Sequence, residues 1–588
     1  MKAGFGMLFV FGCATVCAQA AEFYVSLAGS DAAAGSRAAP FRTLERARDA
    51  SRPFCGKEPV TVWLHGGTYA IDKTIEFDTR DSGTGKNPVA YRAVPGETPV
   101  ISGGKRLTGW QPDGNVIWKA PTHGMEFRQI YVDRKKATRS RWPNEGDYLR
   151  LIDWNEPGLK INLRPGDIRD WENFNEVEIY IQMLWSISVM RLESFSDDRD
   201  QSVLTVQNPE RDLVFKRLWP KKVKNQAFHY ENAREFIDQP GEWCINRKKG
   251  EVYYYPRPGE EMPVAEVIVP QVETLISVKG SLDRPVKHLT FEGITFMHSN
   301  WLLPYERGYL NNQAGQFTIE PTVENIQFVG RPPGAVEVVC AHNVTFSRNV
   351  FKKLGAVGLD LHYGTRDCGI VGNVFYDIAG SGIQHAKFSD PDVEVHLPYN
   401  PKDERELCVN DRIHNNYIEN VGYEYGGAIG ILSGWPAGLQ IDHNELRNLS
   451  YSGISVGWGW THEPNAMRDN KIRWNHVDRP MTLFGDGGGI YTLSEMPGSL
   501  IASNYVSGVF RSKWALGASS KCYFLDEGSG GITLQQNYEQ CGDEIERLRL
   551  HQNGTVTILP IHSSMYKGII EVAGLEPDYK EIKKLARD

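Results

Sequence analysis

Short apolar strands that recur with one asparagine each dominate the C-terminal half of the chain. The segments KHLTFEGITF (Lys287 to Phe296) and HNVTFSRNVF (His342 to Phe351) share one alternation of apolar and polar positions, and GIVGNVFYDI, RIHNNYIENVG, LQIDHNELRNL, IRWNHVDRP and LIASNYVSGV repeat it. The recurring asparagines are Asn349, Asn373, Asn416, Asn444, Asn475, Asn504 and Asn537. A period of two predicts strands, and an Asn at the same bend of every repeat predicts a parallel β-helix with stacked Asn side chains.

The spacing of the asparagines predicts the size of each rung. Successive intervals are 24, 43, 28, 31, 29 and 33 residues, which leaves room for two or three short strands and no helix. Only the interval of 43 residues requires a large insertion, which spans Phe388 to Leu407. The pattern therefore predicts an all-β stack over residues 265–545, followed by a C-terminal strand and tail over 546–588.

The N-terminal region predicts a leader and a cap. Residues 1–20 carry Lys2, an apolar run and the small-x-small site Ala18-Gln19-Ala20, which is typical of a secretory signal. A lipoprotein signal that ends at Cys13 fits less well because bulky Phe11 precedes it. The protein is therefore expected to be exported, to the periplasm or beyond, and no later apolar run is long enough to span a membrane. Residues 21–104 predict a cap with a helix from Thr43 and the first rungs.

Residues 105–264 have a different pattern. Strands alternate with charged loops and lack the Asn repeat, which predicts an antiparallel β-sandwich inserted into the β-helix. Its loop around Trp142 and the insertion Phe388 to Leu407 are expected to close a substrate pocket. A closed pocket would favour cleavage at a chain end, whereas an open groove would favour internal cleavage.

Charge and cysteine content exclude some partners. Lys plus Arg number 65 and Asp plus Glu 73, and the net charge of -8 argues against a nucleic-acid-binding protein. The cysteines show no paired short spacing of a zinc site, so no metal and no cofactor are predicted, and they are expected to be buried with at most one disulfide. The sequence does not predict an oligomeric state.

Acidic residues break the repeat on one side of the stack. The strand-opening glycines align as Gly358, Gly382, Gly427, Gly453 and Gly489, and three residues before them stand Gly355, Ala379, Glu424, Ser450 and Asp486. The next rung is interpreted as a long bend, Lys513 to Gly530, that carries Asp526 and Glu527. Rungs about 4.8 Å apart suit the carboxyl pair of a glycosidase, whose members lie about 5 to 9.5 Å apart.

We therefore expect Asp486 and Asp526 to be the catalytic pair, with Glu527 and Glu424 as reserves. The alternative for each is a turn-forming acid that bonds its own backbone. Aromatic and histidine side chains near these bends are the expected sugar contacts. They are Trp142, His385, Trp458, Trp460, His462, Tyr491 and Tyr523.

Nearly the whole mature chain resembles one enzyme family. The resemblance rests on FYVSLAGSDAAAGSRAAPFRTLERARDA, RSRWPNEGDY, GEWCINRKKGEVYYYP, GISVGWGW, DGGGIYTLSE and AGLEPDY. Together these segments resemble glycoside hydrolase family 141, which includes α-L-fucosidases and xylanases, and more distantly the family 120 β-xylosidases. The resemblance implies a right-handed parallel β-helix with an inserted β-sandwich, and a catalytic Asp pair in DGGGIY and LDEGSGG, at Asp486 and Asp526.

Four functions remain open at this point. The first is an α-L-fucosidase acting on pectic side chains of plant cell-wall polysaccharide, and the second is a xylanase or β-xylosidase on the same scaffold. The third is a calcium-dependent polysaccharide lyase with Lys513 or Lys521 as the base. The fourth is a sugar-binding β-helix without catalysis.

Overall fold

A computed structural model describes residues 20–198, 200–321, 327–388, 397–559 and 566–587. The expected signal peptide lies outside the described residues except for Ala20. None of the helices within the described ranges combines the length and the apolar character needed to cross a bilayer.

Three long parallel sheets form the body of the protein, which is a parallel β-helix. Sheet 1 has twelve strands: Ala21–Val25, Val60–Leu64, Val89–Ala93, Leu289–Glu292, Thr345–Ser347, Gly369–Val371, Arg412–His414, Gln440–Asp442, Lys471–Arg473, Glu495–Ala502, Gly530–Gln535 and Val556–Leu559. Sheet 2 has ten: Gly67–Ala70, Pro99–Ser102, Thr295–Met297, Val350–Leu354, Val374–Ile378, Tyr417–Val421, Glu445–Leu449, His476–Asp478, Tyr505–Ser507 and Tyr538–Gln540. Sheet 3 has ten: Ile75–Phe77, Ile276–Lys279, Gly334–Val339, Val357–Leu361, Ile383–His385, Ile431–Ser433, Ile454–Val456, Gly488–Thr492, Lys521–Leu525 and Glu546–Leu550.

The apolar positions of the repeat point into the coil. Phe291 and Phe296, from the first repeat, are fully buried, and they stack on Phe346 and Phe351 of the next repeat with ring centroids 5.2 and 5.0 Å apart. Each rung alone cannot bury this face, so stacking of successive rungs creates one continuous core.

The predicted Asn ladder is confirmed. Each Asn lies at the bend between sheets 1 and 2. From Asn373 onwards, its Oδ1 atom accepts a hydrogen bond from the backbone N–H of the preceding Asn at 2.9 to 3.1 Å, and Oδ1 of Asn349 accepts from the Ile294 N–H at 3.0 Å. Asn349 through Asn504 are completely buried, and Asn537 is 9% exposed. The ladder satisfies amide and backbone groups that would be costly to bury unpaired.

Helices are few and short. The helix Leu44–Ser51 begins at Thr43, whose hydroxyl accepts from the N–H of Arg46, as expected for an N-cap. It buries Leu44 and Ala47 in the same core as the first strands. The other helical segments within the described ranges, α or 3₁₀, are Thr79–Asp81, Phe174–Glu176, Glu210–Lys216, Arg234–Phe236, Leu303–Arg307, Glu404–Glu406, Tyr566–Val572 and Pro577–Ala586.

The chain between sheets 2 and 3 of the early rungs forms mainly antiparallel sheets with two cores of their own. One sheet holds Gly104–Arg106, Tyr131–Val132, Lys135–Lys136 and Val267–Pro270, and a second holds Gln111–Asp113, Ile117–Pro121, Thr138–Arg139, Glu242–Asn246 and Glu251–Tyr254. The third contains Arg141–Trp142, Leu149–Arg150, Asp153–Asn155, Lys160–Leu163, Glu178–Gln182, Ile187–Asp197, Ser202–Val206 and Ala227–Glu231. A separate two-stranded sheet pairs Val286–Lys287 with Ala341–His342.

An arm crosses the middle of sheet 3. Its strands Tyr309–Gln313, Gln316–Pro321 and Gln327–Gly330 are antiparallel and continue the inserted domain's third sheet. Gln316 donates from Nε2 to Oε1 of Gln384 at 2.8 Å, and Gln313 reaches the hydroxyl of Tyr491 at 3.4 Å. Gln384 and Tyr491 belong to one outward-facing row of sheet 3, so the arm spans the strands between them.

Candidate active site

A cavity of about 780 Å³ opens over the last three strands of sheet 3. Its floor comes from Tyr491, Lys521, Phe524 and Arg549, on neighbouring strands. The surrounding walls come from the inserted domain, the arm, the ends of these strands with their loops, and the loop that follows the strand Ile454–Val456. They contribute Trp185, Trp219, Asn312, Gln313, Trp460, Asp486, Ala518, Ser519, Asp526, Glu527, Glu546 and His551.

Asp486 lies at a tight bend just before the strand Gly488–Thr492. Its backbone has a φ of 57°, and its N–H and C=O are bonded to Ala518 O at 3.1 Å and the Tyr451 hydroxyl at 2.7 Å. A Cβ on the following Gly487 would lie 2.7 Å from the Tyr451 ring, so this position requires glycine. The carboxylate is 30% exposed and forms an ion pair with the Lys521 ammonium at 3.2 Å.

Asp526 follows the neighbouring strand Lys521–Leu525 and points into the same cavity. The Tyr491 hydroxyl donates to its Oδ2 at 2.6 Å, and Nδ1 of His551 is 2.9 Å from its Oδ1. Burial, followed by the nearby Asp526 carboxylate, raises the pKa of Tyr491 well above its usual value. The tyrosine therefore remains a hydrogen-bond donor over the whole physiological pH range, and it fixes the orientation of the Asp526 carboxylate.

The two aspartates do not occupy equivalent bends, which corrects the repeat alignment. Asp486 precedes its strand, whereas Asp526 directly follows the next strand, and the position equivalent to Asp486 is Ser519. The segment KCYFL at 521–525 is a strand of sheet 3 rather than part of a long bend. The polar loop before this strand made its apolar alternation hard to recognise in the sequence. Asp486 and Asp526 nevertheless line the same cavity.

The two reserve acids, Glu527 and Glu424, lie in different parts of the structure. Glu527 lines the cavity beside Asp526. Glu424 does not, because the registered glycine of its rung is Gly430 rather than Gly427, and Glu424 therefore stands farther from the strand. It forms an ion pair with Lys136 and accepts from Gln129 Nε2 at 2.6 Å, so it fastens the inserted domain to the β-helix.

Of the expected sugar contacts, Tyr491 and Trp460 line the cavity. Trp458 is buried under Trp460, with the ring centroids 5.2 Å apart, and its other side packs on Phe388 at 5.3 Å. Tyr523 points into the coil, where its hydroxyl donates to the Asn504 carbonyl at 3.0 Å. Neither of these two residues reaches the cavity, because the strand alternation and the bend place them inward.

The other three expected contacts also lie away from the cavity lining. Trp142 packs inside the inserted domain, 6.1 Å from Tyr230 and nearly parallel to it. His385 is completely buried in the coil, and His462 is exposed on a loop. The Trp142 loop and the described part of the Phe388 to Leu407 insertion contribute no lining residue, so they do not close the pocket as expected.

Trp185 and Trp219 of the inserted domain line the pocket instead of those two segments. Their rings stack with centroids 5.9 Å apart, and Trp185 Nε1 donates to the carbonyl of Asn312 in the arm at 2.8 Å. Sequence reasoning missed them because each stands in a segment that reads locally as core or turn. Arg549 and His551 were missed because their strand, Glu546–Leu550, alternates charged residues with leucines and does not resemble the earlier strands of the repeat.

Comparison with known proteins identifies the family. The profile of the GH141 insertion domain matches residues 115–257. A solved structure described as a glycoside hydrolase is 33% identical to this chain and superposes with a TM-score of 0.89. The match covers 95% of this chain and 100% of the solved chain. The chain belongs to glycoside hydrolase family 141. Membership in family 141 places it among the glycosidases, and the parallel β-helix is shared with this relative.

A partial match links the family 141 chain to a second protein. Pectate lyase PEL9 of Emericella nidulans is 36% identical over 172 residues, which are 28% of this chain and 38% of the lyase. The match thus spans less than two thirds of the lyase.

Proposed function

We propose that this family 141 chain hydrolyses a glycosidic bond of plant cell-wall polysaccharide, with α-L-fucose on a pectic side chain as the released sugar and Asp486 and Asp526 as the carboxyl pair. The observation that carries the proposal is the convergence of these two carboxylates on one cavity of about 780 Å³ with aromatic walls. Sugar-sized ligands occupy cavities of roughly this size, since small-molecule sites measure about 300 to 1,000 Å³.

The two carboxyl groups divide the reaction between them. One protonates the glycosidic oxygen as the bond to the anomeric carbon breaks, and the other attacks that carbon or removes a proton from the attacking water. Tyr491 and His551 hold the Asp526 carboxylate, while Lys521 holds that of Asp486. Both groups are thereby oriented before substrate arrives, which supports catalysis by positioning.

The aromatic walls support a sugar substrate. Trp185, Trp219 and Trp460 surround the cavity, and indole faces stack on the apolar faces of sugar rings. The arm bounds the cavity along the sheet, with Asn312 and Gln313 in its lining. An enclosed end supports removal of a terminal residue rather than cleavage within a long chain.

Export is part of the proposal. A polysaccharide of the plant cell wall is met outside the cell, and the sequence of residues 1–20 predicts a secretory signal.

Two other reactions are kept as candidates for specific reasons. Xylan hydrolysis would use the same carboxyl pair on a different sugar. A calcium-dependent lyase is favoured by the partial match to pectate lyase PEL9 and by Lys521, which lies in the cavity and would serve as the base. In this structure, however, Lys521 is already paired with Asp486.

Product analysis tests all three reactions. The purified mature protein is incubated with pectin-derived oligosaccharides and with xylan, with and without the calcium chelator EGTA, beside the Asp486→Asn variant. Free fucose that appears despite EGTA, and disappears in the variant, supports the proposal. Xylo-oligosaccharides lost in the variant would change the substrate, unsaturated uronate lost with EGTA would replace hydrolysis by elimination, and no product from any substrate would favour a binding protein.

A further inference from the structure

We propose that His385, Cys408 and Asp411 bind one structural Zn²⁺ ion inside the β-helix. The three side chains are 0%, 2% and 1% exposed, and one donor atom from each lies within 4.8 Å of the other two. Imidazole nitrogen, thiolate sulfur and carboxylate oxygen are the three donor types that Zn²⁺ takes in proteins. A thiolate disfavours Ca²⁺ and Mg²⁺, which take oxygen ligands.

Neighbouring groups hold two of these side chains in position. Nδ1 of His385 is bonded to the Ser433 hydroxyl at 2.8 Å, which leaves Nε2 facing Asp411 at 3.0 Å. The carboxylate of Asp411 accepts from the backbone N–H of Cys368 at 2.7 Å and from the Thr365 hydroxyl. Zinc ligands are typically supported in this way, by partners that fix the ring and the carboxylate.

The charge of the cluster also fits a divalent cation. Among the described residues, the ion-pair partner recorded for the buried Asp411 is His385. A buried carboxylate is costly unless a positive charge balances it. One Zn²⁺ with a thiolate, a carboxylate and a neutral imidazole forms a site without net charge, so the metal would remove this cost.

A small cavity near the cluster bears on the fourth ligand, and Thr365 is the residue that connects the two. A cavity of about 40 Å³ is lined by Thr365 and by Leu407, which directly precedes Cys408. A water molecule needs about 10 to 15 Å³ of such space. Either such a water or the Thr365 hydroxyl, which donates to the Asp411 carboxylate, would supply the fourth ligand of a tetrahedral Zn²⁺.

The ion would join the two ends of the largest insertion in the repeat. His385 ends the strand that precedes the insertion Phe388 to Leu407, whereas Cys408 and Asp411 follow it. A metal cross-link between the two ends lowers the conformational entropy of the unfolded chain, and it thereby stabilises the folded state. Phe388, at the start of this insertion, packs on Trp458, which in turn supports Trp460 in the wall of the candidate active site.

The test is the metal content of untagged full-length protein, measured by plasma mass spectrometry after gel filtration. About one zinc per chain is expected, with loss of the metal in Cys408→Ser. Cys368→Ser is the matched control, because it removes a neighbouring buried thiol that is not a ligand, and it should retain the zinc. Protein reconstituted with Co²⁺ should show a thiolate-to-cobalt charge-transfer band that is absent from Cys408→Ser.

The measurements on the unmodified chain decide the matter even if Cys408→Ser does not fold. Protein that contains no stoichiometric metal, takes up none when supplied with Zn²⁺ and shows no thiolate-cobalt band would overturn the proposal. The three side chains would then form only a buried hydrogen-bonded cluster. The result is independent of the proposed glycosidase activity, since no readout involves turnover.

Discussion

Tyr491 donates a hydrogen bond to Asp526 from the adjacent strand, with 2.6 Å between the hydroxyl and Oδ2. Tyr491 is 2% exposed, and it is held from the other side by Gln313 of the arm. The Tyr491 hydroxyl therefore connects three parts of the molecule, namely its own strand of sheet 3, the residue that follows the next strand, and the arm.

Loss of this hydroxyl should slow catalysis with little effect on binding. We expect Tyr491→Phe to lower kcat about 10- to 100-fold, because the Asp526 carboxylate loses a fixed donor, while KM changes little. Steady-state kinetics on the released sugar measure both. Tyr523→Phe is the control: its hydroxyl bonds inside the coil, so it should lower the melting temperature but retain kcat. Equal kinetic losses in both variants would contradict the role of Tyr491.

Replacement of either proposed catalytic carboxylate should be severe. Asp486→Asn and Asp526→Asn are each expected to lower kcat about 10³-fold or more, since general acid or base catalysis alone contributes about 10² to 10⁴. Glu424→Gln should retain a rate near that of the unmodified enzyme, because Glu424 contacts Lys136 outside the cavity. Full activity in either Asp variant would remove that residue from the pair.

The inserted domain should contribute to substrate binding. Trp219→Ala is expected to raise KM about 3- to 10-fold with a smaller change in kcat, because stacking on an aromatic ring is worth about 0.5 to 1.5 kcal/mol. Trp63→Ala, on the outer part of sheet 1 and bonded to Glu22, is the matched control and should leave KM unchanged. An unchanged KM in Trp219→Ala would mean that this wall does not touch the sugar.

A buried charge cluster in the inserted domain should make stability depend on acid pH. Burial alone would raise the pKa of Glu178, but Arg128 and Arg139 outweigh it and lower the pKa to about 2. The unfolded value is about 4.3. The folded pKa is the lower of the two, so this contribution is fully present above pH 4.3 and is lost as the pH falls towards 2.

Glu178→Gln isolates that contribution. At pH 7 the free energy of unfolding of the variant should be about 3 to 5 kcal/mol lower, because two buried guanidinium groups lose their partner. Between pH 5 and pH 3 the unmodified protein should lose more of its stability than the variant does. Urea denaturation at these pH values measures both effects, and identical pH profiles would show that the cluster does not titrate as described.

Removal of one Asn from the ladder should lower the stability of the β-helix. Asn444 accepts from Asn416 N–H at 2.9 Å and donates to the Ile413 carbonyl at 2.9 Å. Asn444→Ala leaves these buried backbone groups unpaired, which costs about 1 to 3 kcal/mol for each group. Thermal unfolding should show a clear fall in Tm. Asn400→Ala, which removes an exposed hydrogen bond to Pro464, should leave it unchanged.

The repeat predicts the coil well because its signal is local. Alternation within each rung decides which side chains face inward, and Phe291 and Phe296 behave as the pattern requires. The bends were harder to align: counting from Gly427 instead of Gly430 placed Glu424 in the site. Trp185 and Trp219 could not be found at all, because their position depends on how the inserted domain packs against the arm, which no local pattern records.

The cavity stands on the last three strands in the order of sheet 3, Gly488–Thr492, Lys521–Leu525 and Glu546–Leu550. In a one-dimensional stack an inner rung is supported on both sides and an outer rung on one, so fraying starts at the ends. On gentle heating, catalysis should therefore disappear while most of the β-sheet circular dichroism persists. The thermal limit of the enzyme is then the melting of its final rungs, well before the coil itself gives way.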